Sequence, residues 1–151
     1  MFEVAVLGEL LPALAEHVGP GATFNSEWPP PPRPGVYAWV RPGDNAVAYI
    51  GSAASLAGRV RREKSWVDGH DPEADWEVTV VHMLKRLAAV PHWHERPTHV
   101  DAVELERRLI EWHRALTGVA PLIVGWDAKS GSPTTAARDW SQQLWARMQP
   151  R

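Results

Sequence analysis

Apolar positions change their period several times along the chain, and each change marks an element. Residues 2–18, FEVAVLGELLPALAEHV, place apolar side chains at near-helical spacing and predict one helix whose continuity Pro12 limits. The next stretch, GPGATFNSEWPPPPRPG, is incompatible with regular structure, and its proline run predicts an extended connector. From Gly35 the composition turns β-branched and aromatic. VYAWV (36–40) and AVAYI (46–50), separated by the turn residues RPGDN, predict an antiparallel hairpin.

After the second strand, Gly51 permits a positive φ or a close backbone approach, and small residues follow to position 54. Ser55 then has the character of an N-cap for a short helix running to about Lys64. An acidic loop leads to WEVTVVHML (76–84), the candidate third strand, and the segment KRLAAVPHWHERP has no clear period. The strongest helical pattern runs from about Thr98 to Leu116. Thr98 and Asp101 stand in capping-box relation, and Ala102, Leu105, Leu109, Trp112 and Leu116 form its apolar stripe up to Gly118. PLIV (121–124) is a short apolar run, and 134–148 has the pattern of a C-terminal helix. The order β-β-α-β-α predicts an α+β fold with a small sheet and extra helices at both ends.

Composition narrows the functions available. At 151 residues the chain is long enough for one domain with a real core. Its net charge is −2 at pH 7, so a nucleic-acid partner must be held by a local patch. The absence of cysteine excludes disulfides, thiolate zinc sites and cysteine nucleophiles. No apolar run approaches a membrane span, and the expected compartment is the cytoplasm. Nine tryptophans are scattered along the chain and read as packing. The HWH run (92–94), with His82 and His99 nearby, lacks a matching carboxylate or cysteine spacing for zinc and reads as solvated or rim histidine.

A few side chains are candidates for chemistry: Tyr37 and Tyr49 on the paired strands, Arg59 on the short helix, and Glu106 at the margin of the long helix's stripe. Their arrangement resembles the GIY-YIG endonuclease family. Gly35-Val36-Tyr37 and Tyr49-Ile50-Gly51 match the name-giving tripeptides, Arg59 follows in SAASLAGR, and Glu106 precedes Arg-Arg-Leu-Ile. The resemblance spans residues 35–124. It divides the chain into an N-terminal helix and Pro-rich connector (1–34), a nuclease-like core (35–124) and a C-terminal extension (125–151).

The resemblance implies a three-stranded antiparallel sheet flanked by helices, and hydrolysis of DNA phosphodiesters with Mg²⁺ or another divalent cation such as Mn²⁺. It implies that Glu106 holds the metal, that Arg59 meets phosphate oxygens, and that Tyr37, assisted by Tyr49, serves as general base. Arg61, Arg62 and Lys64, on the same helix as Arg59, form the expected DNA grip. The groups are expected within about 10 Å of one another, and Glu106 on the opposite sheet face from Arg59 would speak against the nuclease reading. Glu63 stands where the family commonly has His or Tyr, and Val124 where it has Asn. Glu63 reads either as a surface i,i+4 partner of Arg59 or as a competitor with phosphate for that arginine. The alternative function is a fold-sharing module that binds DNA or a protein partner without cutting.

Overall fold

The computed structural model describes residues 4–69 and 75–118. Elements follow in the order α1 (Leu11–Val18), β1 (Gly35–Arg41), β2 (Ala46–Ala53), α2 (Leu56–Asp68), α3 (Asp75–Arg86), β3 (Val90–Glu95) and α4 (His99–Thr117), with a 3₁₀ turn at Leu7–Leu10. This is an α+β fold built on a three-stranded antiparallel sheet of order β2-β1-β3. The apolar run at 121–124 and the expected helix at 134–148 lie outside the described residues, as does Val124.

The hairpin forms where the pattern places it, but both strands run further. β1 starts at Gly35 and β2 continues through Gly51 to Ala53, in register Tyr37–Gly51 and Val36–Ser52. The ladder shifts by one residue between Trp39 and Val40, because Ala48 of β2 is the extra residue of a bulge. Ser55 caps α2 by accepting a hydrogen bond from the Gly58 amide at 3.2 Å. The helix extends one turn past the expected Lys64.

The third strand is a correction. Residues 75–86 form α3, and the strand is VPHWHE, from the segment whose period was unclear. Val81, Leu84 and Leu87 are all buried at three-residue spacing, a helical stripe that the β-branched run 78–81 disguises. β3 contains Pro91, which a central strand rejects, but β3 lies at the sheet edge, where a missing N–H costs nothing in the ladder.

The long helix keeps its cap, with Thr98 Oγ1 accepting from the Asp101 amide at 3.1 Å. It also keeps its stop, Gly118 in the left-handed region at φ 82°. Its buried line is Ala102, Leu105, Leu109 and His113, whereas Leu116 is exposed and Trp112 only half-buried. The expected helix over 2–18 is also shorter. Val6 bridges to Ala46, the Leu7 amide donates to the Asn45 carbonyl and the Val47 amide to the Ala5 carbonyl. These residues therefore border β2, and α-helix begins only at Leu11 with Pro12 in its first turn, where proline is tolerated.

Strand alternation assigns the two faces of the sheet. Tyr37, Trp39, Tyr49, Gly51 and Trp93 share one face, on which α2 lies, with α3 packed against α2. Val36, Ala38, Ile50 and Ser52 face α4.

Candidate functional site

The glycines of the two tripeptides are fixed by space. A Cβ on Gly51 would lie 2.6 Å from Cζ of Tyr37, whose ring covers that position, and one on Gly35 would lie 2.5 Å from the His94 carbonyl oxygen. Neither position has room for a side chain. The close-approach reading of Gly51 holds, inside a strand that continues past it.

Over Gly51 the two tyrosines meet. Their ring centroids are 5.6 Å apart and their hydroxyls 3.2 Å apart, and both residues are buried. The third member of this group is Glu63, which is fully buried. Its Oε2 accepts from the Tyr37 hydroxyl at 2.7 Å and its Oε1 from Trp39 Nε1 at 2.9 Å. Arg59 Nη1 lies 3.8 Å from the same Oε2, with its side chain about one-third exposed. The surface i,i+4 pair expected from the sequence is therefore half interior. The signal was present: Leu56, Val60 and Glu63 follow one another at helical spacing, and all three are buried.

Burial sets the proton affinities. Loss of solvent pushes the Glu63 carboxyl up to about 7, opposed by the hydrogen bonds from Tyr37 and Trp39 and by the charges of Arg59 and Arg62. Tyr37 is raised well above its ordinary value, first by burial and then by the Glu63 charge. Tyr37 therefore holds its proton and donates it toward Glu63. The cation that the general-base role requires is present as Arg59, but its effect is smaller than burial and the facing carboxylate.

Glu106 reaches the sheet from the other side. It sits on α4, half-buried, and its Oε1 accepts from Ser52 Oγ at 3.0 Å. The expectation that it shares a face with Arg59 fails, because Ser52 and Gly51 point in opposite directions from consecutive positions of one strand. That strand is an edge of the sheet. The Tyr37 ring over Gly51 and the Glu106 carboxylate on Ser52 thus flank backbone positions whose Cα atoms are about 3.8 Å apart. Ser52, hidden among the small residues after the tripeptide, was missed from the sequence.

The basic residues of α2 are partly committed locally. Lys64 Nζ pairs with Asp68 at 2.7 Å and lies 5.6 Å from the Trp28 ring, and the Arg62 guanidinium stands 5.8 Å from the Trp66 ring. Arg61 is exposed. Among the histidines, His94 Nδ1 lies 2.9 Å from the Thr23 carbonyl, which places its proton there, and burial lowers His92. His82 and His99 are exposed. No group of three or more His, Cys, Asp or Glu among the described residues is placed to hold a metal. No helix among them is long and apolar enough to cross a membrane.

No family model and no curated protein matches the chain. Among solved structures, the chain is similar to the GIY-YIG N-terminal endonuclease domain of UvrC from Thermotoga maritima, which was solved bound to its catalytic divalent cation, magnesium. The identity is 26%, with 56% of this chain and 82% of that chain covered and a TM-score of 0.43.

Proposed function

We propose that the chain is a divalent-cation-dependent DNA endonuclease whose site lies at the end of edge strand β2. The observation that carries this is the cluster of Tyr37, Tyr49, Arg59 and Glu63 over Gly51, with Glu106 bonded to the next residue of the same edge strand, Ser52, from the opposite face. At a central strand, residues on opposite faces are sealed from each other by neighbouring strands. At the edge strand β2 no neighbouring strand separates the two sides, and on this reading the phosphate lies along that edge.

The donors fit a hard cation. Mg²⁺ is commonly held by one or two carboxylates and keeps several waters, so the single carboxylate of Glu106 suits it, or Mn²⁺, better than zinc. Such an ion, when bound, supplies Lewis-acid polarisation of the phosphate and neutralises charge in the transition state. The chain's own residues do the rest. Ser52 orients the Glu106 carboxylate through its hydroxyl. Arg59, one-third exposed, presents a guanidinium to phosphate oxygens as charge accumulates on them. Tyr37 and Tyr49 form the wall behind the arginine, and Glu63 holds Tyr37 in one orientation.

The test is nicking of supercoiled plasmid and branched DNA in the presence of Mg²⁺. Glu106→Gln should keep the fold and DNA affinity while lowering cleavage by roughly 100-fold or more, since a neutral amide cannot replace the anionic oxygen. Wild-type cleavage by that variant would remove Glu106 from the site.

A non-cleaving module that binds DNA or a protein partner is the second reading, favoured by the burial of both tyrosines and by the separate approach of Glu106. Retained DNA binding with no nicking of any substrate would establish it in place of the first.

A further inference from the structure

Glu63 is a carboxylate built into the interior, in contact with two of the candidate groups, Tyr37 and Arg59, and with Trp39. One oxygen accepts from Trp39 Nε1, and the other is shared between the Tyr37 hydroxyl at 2.7 Å and the Arg59 guanidinium at 3.8 Å. Arg59 differs from its partner in reaching solvent: Glu63 is fully enclosed, whereas a third of the Arg59 side chain is accessible. The arginine thus stands between a buried anion and whatever anion arrives from outside.

We propose that Glu63 is a positioning residue for Arg59, and that DNA binding is coupled to uptake of one proton by the Glu63 carboxylate. This rests on the reading that Arg59 receives a DNA phosphate. With Glu63 ionised, its Oε2 draws the guanidinium inward. A phosphate at Arg59 brings a second negative charge toward a carboxylate that solvent cannot screen, and this raises the proton affinity of the carboxylate. A proton from solvent on Oε2 removes the competing charge and leaves the guanidinium to the phosphate. No covalent bond changes, and Tyr37 keeps a hydrogen-bonded oxygen beside its hydroxyl in either state.

The charged surroundings favour this assignment. From α2 the positive groups are Arg59 and, further off, Arg62; from β1 and β2 the groups facing Glu63 are Tyr37, Trp39 and, through Tyr37, Tyr49. On α3, packed against α2, the described titratable residues are His82, Lys85 and Arg86, of which His82 and Arg86 are exposed and Lys85 is half-buried. His92 and His94 of β3 alternate with Trp93 and so point to the opposite face from Tyr37. With the carboxyl already held at about 7 by burial, the expected upward shift falls in an accessible range.

The experiment is binding of a short duplex DNA to the full chain at pH 6 and pH 8 at constant salt and without divalent cation. It compares wild type, Glu63→Gln and Arg59→Gln. One linked proton steepens affinity by up to about tenfold per pH unit. Wild type should bind roughly three- to tenfold tighter at pH 6 than at pH 8, beyond any shared histidine contribution. Glu63→Gln, a neutral mimic, should bind at pH 8 about as tightly as wild type at pH 6, with a flattened profile. Arg59→Gln should be flattened too, but weak at both pH values.

Should Glu63→Gln fail to fold, calorimetry of wild type in two buffers of different ionisation enthalpy counts the protons directly. Net uptake near pH 7.5 supports the coupling, and zero uptake or release overturns it. The same pH dependence in Glu63→Gln as in wild type overturns the coupling while leaving the site itself in place. No DNA binding at either pH overturns the functional reading and the coupling together.

Discussion

Glu63 shows how one residue's role depends on which way a helix is turned. Its carboxyl is raised to about 7 by burial, against an ordinary value of 4.5 in the unfolded chain. Between those two values the native state holds a proton that the unfolded state has lost, so this group's contribution to stability falls as pH rises through the window. The expected outcome is a wild-type protein that loses on the order of 1–3 kcal/mol from this group between pH 5 and pH 8. Glu63→Gln should lack that component and be the more stable protein at pH 8. Urea unfolding of both chains at several pH values measures the difference, and parallel curves would show that folding does not raise the proton affinity of Glu63.

Among the elements, α2 joins core, site and surface on one short helix. Leu56, Val60 and Glu63 face inward, Arg59 stands at the border, and Arg61 and Arg62 are exposed. Because Lys64 is drawn to Asp68 and Trp28, Arg61 and Arg62 are the better candidates for phosphate contact. Replacing both by Ala should weaken DNA binding uniformly across sequences and reduce the slope of log K against log salt by about one unit per lost contact. An unchanged slope in a salt titration would place the DNA surface on another element. Adding Lys64→Ala should lower the slope less than either arginine does, given its local partners.

For the whole molecule, the start of the chain is tied to α4 by polar bonds across more than a hundred residues. His113, fully buried, accepts the Ala5 amide proton at its Nε2, 3.2 Å away, and the Trp112 indole donates to the Glu9 carbonyl at 2.8 Å. Accepting at Nε2 requires a neutral ring with its proton on Nδ1, beside Thr117 Oγ1 at 3.2 Å. His113→Leu keeps most of the volume but leaves a buried amide without that acceptor, and should cost about 1–3 kcal/mol of unfolding free energy. His113→Gln, which can offer an oxygen, should cost less. Equal losses in the two variants by chemical denaturation would show that packing, and not the hydrogen bond, holds the segment.

The local code was legible wherever neighbours in sequence settle the structure. The hairpin, the Ser55 and Thr98 caps, the Gly118 stop and the irregular connector all depend on residues within a few positions of one another, and all were readable. The glycines of the two tripeptides were also legible as special, although only the packed structure shows the Tyr37 ring and the His94 carbonyl that exclude a side chain. What the chain could not settle alone was every choice made between distant segments. Two stretches competed to be the third strand, and the β-branched one became a helix because Val81, Leu84 and Leu87 bury better at that spacing, while a proline-bearing stretch took the tolerant sheet edge. His113 replaced Leu116 on the buried line of α4 because the Ala5 amide needed an acceptor there. Glu63 went inside because Tyr37 and Trp39 supply the hydrogen bonds that make a buried carboxylate tolerable. Glu106 came to Ser52 from the opposite face because strand alternation turns consecutive residues apart. Spacing along a chain determines which side of its own element a residue occupies; which residues face it there is decided only when the elements pack.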